Sequence, residues 1–406
     1  MNSGNKSIYH ERNLLQKEKM VEEQKTKKKK RRYGLMMMVL ILCFFSMINI
    51  VSASFFINDN YMKKHSIFLG LFLFIYIFLG SLNYKKFNYS ILENKKLRKW
   101  LMWGSSGVLV LVGMIGKYNL LPGIVPRING AYGWVRIAGI NLQPAEILKI
   151  PFVIVMAITL ANCEREESDQ NEILIQSIAT LCIFIPGLVI QNDIGTALHY
   201  GAIWAFMVFM SNIGRNFILK IMGIGIPVGI FITGIVYKFA PSENTGHIIK
   251  RIKSYIDILF FNRFDQEVGY QVKQSILAFG SGGLLGKGYA NGVQKYSYLP
   301  EIHTDFVMAT FAEEFGFVGI IGIVLLFYFI FISIMHTSME TKDEFGKYLA
   351  MGIGGLIMIQ MFINIFVAVG LLPVFGIPMP LFSYGGSSMV TLGIALGIIQ
   401  NINKVG

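Results

Sequence analysis

The acidic residue best placed for chemistry is Asp305, which ends the polar run Tyr298–Asp305 and is followed at once by an apolar stretch. A carboxylate at such a boundary can act as a general base and take the proton of a substrate hydroxyl. The same position also suits the N-cap of a helix, and both interpretations stay open. Glu313 lies about 12 Å further along a helix axis, too far to share a proton with Asp305. Glu313 or Glu314 is therefore expected to pair with a basic side chain or a backbone group.

Two other acidic residues stand where apolar helices are predicted to begin. Pro144 suits the first helical position, and Glu146 lies in the first turn, where the helix dipole favours an anion. Glu146 and Lys149 share one face of this helix. They form either a salt bridge that holds two spans together or a site where Lys149 meets the substrate. Asp193 precedes another apolar run, as an N-cap or as a ligand contact.

The stretch Gly280–Gly288 combines five glycines with Lys287. Glycine lets backbone N–H groups approach an anion closely, and the lysine adds positive charge. The glycine spacing differs from that of a P-loop. The stretch is thus either an anion-binding segment or a flexible turn.

The stretch Gly370–Ser388 contains three prolines and a pair of glycines, so it cannot form one uninterrupted helix. Irregular backbone at membrane depth is tolerated where it is buried or lines a wet cavity. The pattern therefore predicts a cavity-lining or re-entrant segment, after which Ser387 and Ser388 open the last span.

The elements that position these residues are predicted to be membrane helices. The chain has 406 residues, of which 53% are hydrophobic and only 15% charged, and its mean hydropathy is +0.53. These values exclude a soluble enzyme, a disordered protein and a fibrous protein. Its three cysteines show no disulfide or zinc spacing. Runs of about 20 apolar residues predict an all-α polytopic membrane protein of about ten spans. The predicted spans are 34–57, 65–82, 100–120, 144–162, 173–191, 195–212, 215–238, 304–335, 347–372 and 385–403.

The distribution of Lys and Arg predicts that both termini are cytoplasmic, since the predicted outer loops are poorer in these residues. Residues 1–34 hold eleven Lys/Arg and four Glu, so this short stretch carries +7 of the net charge of +13. We expect 1–33 to be a disordered basic tail, either a lipid anchor or a partner-docking arm, and 34–403 to be the membrane domain. No folded basic domain accompanies the tail, so nucleic-acid binding is not expected. The long outer loop, about 239–303, carries helical apolar spacing typical of interfacial helices.

Taken together, these stretches resemble the SEDS family (shape, elongation, division and sporulation), whose members include FtsW, RodA and SpoVE. The resemblance spans roughly 34–403. Asn192 departs from the family's usual Gln-Pro-Asp stretch, and Gly133 stands where many members carry Arg. The motifs that carry the resemblance, in chain order, are 143–146, 193–196, 269–271, 281–283, 299–305, 313–314, 370–373 and 383–388.

The resemblance implies a peptidoglycan glycosyltransferase in the bacterial cytoplasmic membrane. Such an enzyme joins the disaccharides of lipid II, an undecaprenyl-pyrophosphate-linked disaccharide-peptide, and its partner is a class B penicillin-binding protein that acts as transpeptidase. Asp305 matches the family's essential acid, and Glu146 with Lys149 matches its buried salt bridge. Asp193 and Glu313 are expected to be structural.

The implied mechanism makes Asp305 the general base toward the acceptor's sugar hydroxyl. Basic side chains or a divalent cation would stabilise the leaving pyrophosphate. A lipid II flippase and a non-catalytic scaffold of a cell-wall synthesis complex are the alternatives. The candidate substrate-binding residues are Arg136, Lys149, Arg251, Lys287, His303 and Ser387.

Overall fold

The computed structural model describes residues 3–54, 59–82, 95–128, 130–137, 139–211, 247–296, 299 and 302–405, with isolated positions between 219 and 238. Within these residues the chain is almost entirely helical, apart from one short β-hairpin. The helices are α1 Ser3–Ser54, α2 Asp59–Ser81, α3 Lys95–Lys117, α4 Pro144–Ile147, α5 Lys149–Arg165, α6 Gln170–Ile190, α7 Ile194–Met210, α8 His247–Phe261, α9 Val268–Gly282, α10 Val307–Glu340, α11 Glu344–Ala368 and α12 Gly386–Val405. The antiparallel hairpin joins β1 Val135–Ile137 to β2 Ile140–Leu142.

The helical membrane fold is confirmed. Seven helical segments in the described part of the chain are long and apolar enough to cross a membrane: parts of α1 and α2, most of α3, α4 joined to α5, and α6, α10 and α11. Helix α7 is a shorter apolar helix of 17 residues, and α12 occupies the last predicted span. The predicted span 215–238 and part of the predicted loop 239–303 lie outside the described residues, so the count of ten stays a prediction.

Helices α5 and α11 lie at the centre of the bundle. In the apolar stretches of the spans 144–165 and 344–368, 78% and 67% of the residues are buried inside the bundle. In the other five spans the buried share is 33–39%. Small residues let neighbours approach the central helix: a Cβ on Gly352 would collide with Val153 and Met207, and one on Gly355 with Phe206. The peripheral helices instead leave side chains such as Phe74 exposed, where lipid would cover them.

Helix α10 is interrupted at Gly316, whose φ of 67° and ψ of −169° are not helical. The Gly-rich loop 282–288 fills the interruption. The backbone N–H groups of residues 317 and 318 donate to carbonyls of the loop, and not to those of residues 313 and 314 as they would in a continuous helix. The carbonyls of residues 313 and 314 instead accept from the loop's N–H groups at residues 287 and 288. The stretch is therefore neither an anion site nor a flexible turn, because these amides already have partners.

Helix α1 corrects the expectation of a disordered tail. It is already helical at Ser3 and continues without a break to Ser54. Lys, Arg, Glu, Gln and Met, which dominate residues 16–32, are good helix formers, and Arg31 donates to Glu340 at 2.6 Å and to Asn403 at 2.9 Å. Whether residues 1–33 act as a separate domain stays a prediction.

The bundle has two ends of different character. Helices α2, α4, α7, α10 and α12 all begin at the end that we call the cavity end. At the opposite end, ion pairs tie Arg31 to Glu340, Arg165 to Glu344 and Lys347 to Glu164.

Candidate active site

A cavity of about 720 Å³ opens at the cavity end of the bundle. Five residues that the sequence singled out line it, although they come from five separate parts of the chain. They are Glu146, Asp193, Arg251, Asp305 and Ser387. The predicted irregular segment also contributes to the wall, as expected, through Pro373, Val374, Phe375, Gly376, Pro378, Tyr384 and Gly385.

Asp305 is half-buried and lies in the turn that precedes α10. The N-cap alternative for Asp305 is wrong, because α10 begins at Val307 and its N-cap is Phe306, without a side-chain cap. Gly376, with φ of 73°, faces the carboxylate: a Cβ there would lie 3.8 Å from Asp305 Oδ2. The missing side chain leaves room beside the carboxylate for a reacting group.

The predicted ion pair between Glu146 and Lys149 is confirmed. Lys149 Nζ donates to Glu146 Oε1 at 2.5 Å, and the lysine is completely buried. Glu146 lines the cavity, whereas Lys149 is not among the lining residues. The two residues lie in α4 and the first turn of α5, where Pro144 occupies the first helical position as expected.

Asp193 is the N-cap of α7, as predicted, and accepts from the Thr196 amide at 3.0 Å. Its second oxygen accepts from Gln143 Nε2 at 2.7 Å. The backbone N–H of Gln143 donates to Ser387 Oγ at 2.7 Å. This chain of contacts connects the starts of α4, α7 and α12 along one wall of the cavity.

The two departures from the family pattern have structural counterparts. Asn192 has a φ of 59°, a left-handed conformation that proline cannot adopt, and its side chain donates to the Gly130 carbonyl at 2.9 Å. A Cβ on Gly133 would lie 2.7 Å from Gln191 Oε1, so a larger residue there requires Gln191 to move.

The basic candidates occupy different surroundings. Arg251, on α8, lines the cavity together with Lys64 on α2, which sequence reasoning missed. Neither forms an ion pair within the described part of the chain. Arg136 lies on the hairpin, where it donates to Asn141 Oδ1 at 3.0 Å, and Asn141 lines the cavity. Lys287 does not line it, because Glu313 holds its ammonium group at 2.6 Å.

Aromatic side chains form the wall near Asp305. His303 is buried behind the lining residues, with its ring centroid 4.2 Å from that of Tyr61. The rings of Tyr61 and Tyr384, which both line the cavity, meet edge to face at 5.1 Å. The hydroxyl of Tyr384 is protonated near neutral pH, as in tyrosine generally, and can act as a hydrogen-bond donor.

Glu313 and Glu314 pair as expected, but away from the cavity. Glu313 accepts from Lys287 and from the backbone N–H of Gln294 at 3.0 Å. Glu314 accepts from Lys295 at 2.7 Å and from Ser52 at 2.5 Å. These pairs attach the segment that follows α9 to the first part of α10.

The described residues around the cavity do not form a metal site made of protein side chains alone. Within the ranges that the structure describes, no three or more His, Cys, Asp and Glu side chains are grouped so that they could hold a metal ion. Glu146 and Asp193 already bind Lys149, Thr196 and Gln143.

Comparison with known proteins gives a consistent result. The family model for FtsW, RodA and SpoVE, described as a cell cycle protein, matches residues 33–405. A probable peptidoglycan glycosyltransferase FtsW from Trichlorobacter lovleyi is 32% identical over 88% of this chain and 88% of its own length. The protein of the same name from Bacillus subtilis is 31% identical over 88% of this chain and 85% of its own.

Solved structures share the fold. A chain of a peptidoglycan synthase complex, studied for the coordination of polymerisation and crosslinking, is 21% identical. It superposes with a TM-score of 0.69, covering 91% of this chain and 97% of its own length. The rod shape determining protein RodA from Thermus thermophilus is 22% identical, with a TM-score of 0.62 and coverage of 91% and 96%.

Proposed function

The chain belongs to the FtsW/RodA/SpoVE family of cell cycle proteins, and from this premise we propose that it is a peptidoglycan glycosyltransferase whose reaction takes place in the cavity around Asp305. The observation that carries the proposal is the composition of this one cavity. It brings together a half-buried carboxylate, two basic side chains without ion-pair partners in the described residues, and aromatic and hydroxyl groups. These are the groups that a sugar–pyrophosphate substrate requires.

In the proposed reaction Asp305 takes the proton from a sugar hydroxyl of the acceptor. The hydroxyl oxygen attacks the anomeric carbon of the donor, and the bond from that carbon to the pyrophosphate oxygen breaks, so the pyrophosphate leaves with the electron pair. Attack from the side opposite the leaving group converts an α-linked donor into a β-linked product. Proton transfer of this kind contributes about 10²–10⁴-fold to the rate.

In the proposed reaction Arg251 and Lys64 bind the leaving pyrophosphate. Both line the cavity that holds Asp305, and the other basic candidates are already engaged or lie outside it. Positive groups held in place where negative charge develops stabilise the transition state. Ser387 lies on the same wall, where it meets Gln143, and is assigned to the polar part of the substrate.

The lipid tail is assigned to the apolar sides of the cavity. Phe68 on α2 and Leu198 on α7 both line it, and Leu198 is half exposed on the helix surface. A cavity that reaches the apolar surface of the bundle allows a polyprenyl chain to stay in hydrocarbon while its head group enters. Together with the distribution of Lys and Arg, this supports our proposal that the cavity end lies at the outer face and both termini in the cytoplasm.

The test is polymerisation of labelled lipid II by the purified protein, alone and with the class B penicillin-binding protein proposed as its partner. We expect glycan strands from the wild type, and no more than about a hundredth of that rate from D305N prepared in parallel, which controls for a contaminating polymerase. Wild-type protein that moves lipid II across vesicle membranes without making glycan would favour the flippase alternative. Neither activity, with the partner still bound, would favour the scaffold.

A further inference from the structure

The turn that carries Asp305 is held by hydrogen bonds to three consecutive carbonyl groups. Tyr384 N–H donates to the carbonyl of His303 at 2.7 Å, Ser383 Oγ to that of Thr304 at 2.6 Å, and Asn364 Nδ2 to that of Asp305 at 3.0 Å. All three donors come from α11 or from the irregular segment that follows it. The turn is therefore anchored from outside its own part of the chain.

Two of these donors are side chains with a second task. Asn364 Nδ2 also donates to the Ile377 carbonyl at 2.9 Å, and Ser383 Oγ also accepts from the Met379 amide at 2.7 Å. Asn364 is 1% exposed and Ser383 2% exposed, so water does not replace these bonds. Each side chain thus joins the Asp305 turn to the irregular cavity wall.

We propose that Asn364 and Ser383 are positioning residues for Asp305, which fix the carboxylate relative to the cavity wall without touching the substrate. The proposal rests on the function proposed above. A carbonyl that loses its donor in a buried site either stays unsatisfied or moves to another partner. Because the Asp305 carbonyl belongs to the catalytic residue itself, such a movement displaces the carboxylate. A displacement of about 1 Å can reduce a rate by about 10²-fold.

The chain offers a matched control for Asn364. At the opposite end of the bundle, Asn401 Nδ2 also joins two backbone carbonyls, those of Leu79 at 2.7 Å and Leu82 at 2.5 Å. Asn401 is 5% exposed. Replacing it by leucine removes two side-chain hydrogen bonds to backbone carbonyls, as many as the same replacement removes at Asn364. The control therefore measures the loss of stability that comes from the amide alone.

The experiment compares N364L and N401L with the wild type, by melting temperature and by kcat and KM for lipid II polymerisation. We expect both variants to melt earlier by similar amounts. N364L should lose about 10²-fold in kcat with KM within about twofold of the wild-type value, and N401L should keep both constants within about twofold. Equal kcat values for the two variants, or a loss confined to KM in N364L, would overturn the proposal.

Ser383 provides a second test that holds even if N364L does not fold. S383A removes the donor to Thr304, and S383T keeps a hydroxyl in the same place. We expect about a tenfold fall in kcat for S383A and recovery to near the wild-type value in S383T. Wild-type kcat in folded S383A would contradict the proposal. Inactive wild-type protein, or an active D305N, would instead overturn the proposed function.

Discussion

The two ends of the bundle differ in where some of their charged residues lie. At the opposite end, each ion pair joins two helices at a partly exposed surface, as Arg165 and Glu344 do at 3.1 Å. At the cavity end, Asp305, Arg251 and Lys64 surround open space. Charged residues at one end thus connect helices at the surface, whereas three charged residues at the other end line a cavity.

The described backbone also differs between the two ends, being more irregular at the cavity end. At the opposite end only three residues, Thr341, Lys342 and Asp343, separate α10 from α11. At the cavity end the chain instead passes through the hairpin, the turn before α10 and the irregular segment 369–385. Irregular backbone in a membrane protein requires buried partners or a wet cavity, and here it has both.

The largest expected effect comes from removing one carboxylate at each end. D305N should lower kcat for lipid II polymerisation by about 10²–10⁴-fold, because the base is lost. D343N is the matched control, since Asp343 caps α11 at the opposite end and asparagine caps about equally well. Polymerisation assays with both variants, alongside their melting temperatures, check the prediction. A comparable loss of activity in D343N would show that the ends do not differ.

The next largest effect is expected from breaking one ion pair at each end. K149M should lower the free energy of unfolding by about 3–5 kcal/mol, because it leaves Glu146 charged and buried without its partner. K347M breaks a partly exposed ion pair with Glu164, and should lower the free energy of unfolding by only about 0–1 kcal/mol. Unfolding in mixed detergent micelles measures both. The double variant E146Q/K149M should recover part of the loss, and no recovery would argue against the ion pair as the cause.

A smaller effect is expected from the basic side chains at the cavity. R251A should weaken transition-state binding by about 1.5–3 kcal/mol, the usual contribution of a hydrogen bond to a charged group. K250A changes the neighbouring residue of α8, which is exposed and lies 3.8 Å from Glu267. Its kcat/KM for lipid II should stay near the wild-type value. If the two variants lose kcat/KM equally, the general charge of α8 matters and the position of Arg251 does not.

The smallest effect is expected from R165A. Both members of the Arg165–Glu344 pair are more than a third exposed, so the free energy of unfolding should fall by no more than about 1 kcal/mol. Polymerisation should be unchanged. A large loss of stability would mean that the opposite end depends on its ion pairs more strongly than their exposure implies.

Contacts between near neighbours in the chain were predictable from the sequence. The Glu146–Lys149 pair and the Asp193 cap follow from helix geometry over three residues. The irregular wall followed from proline and glycine content alone. The presence of about ten apolar runs was enough to identify the class of fold.

Contacts between distant parts of the chain were not predictable. Lys64 reaches the cavity because α2 packs against α12, and no spacing within the sequence indicates this. The amides of Lys287 and Gly288 could be assigned to an anion only while the interruption of α10 at Gly316 was unknown. The start of α10 likewise depends on tertiary contacts that hold Asp305 in a turn.

The interruption of α10 has a mechanical consequence. The loop 282–288 supplies the hydrogen bonds that α10 lacks at Gly316. These bonds connect the end of α9 directly to α10 on both sides of the interruption. Gly282 and Gly286 leave no space between loop and helix, because a Cβ at either position would lie 2.1 Å from a carbonyl oxygen of the first part of α10. We therefore expect α9 and the first part of α10, which begins two residues after Asp305, to move as one unit.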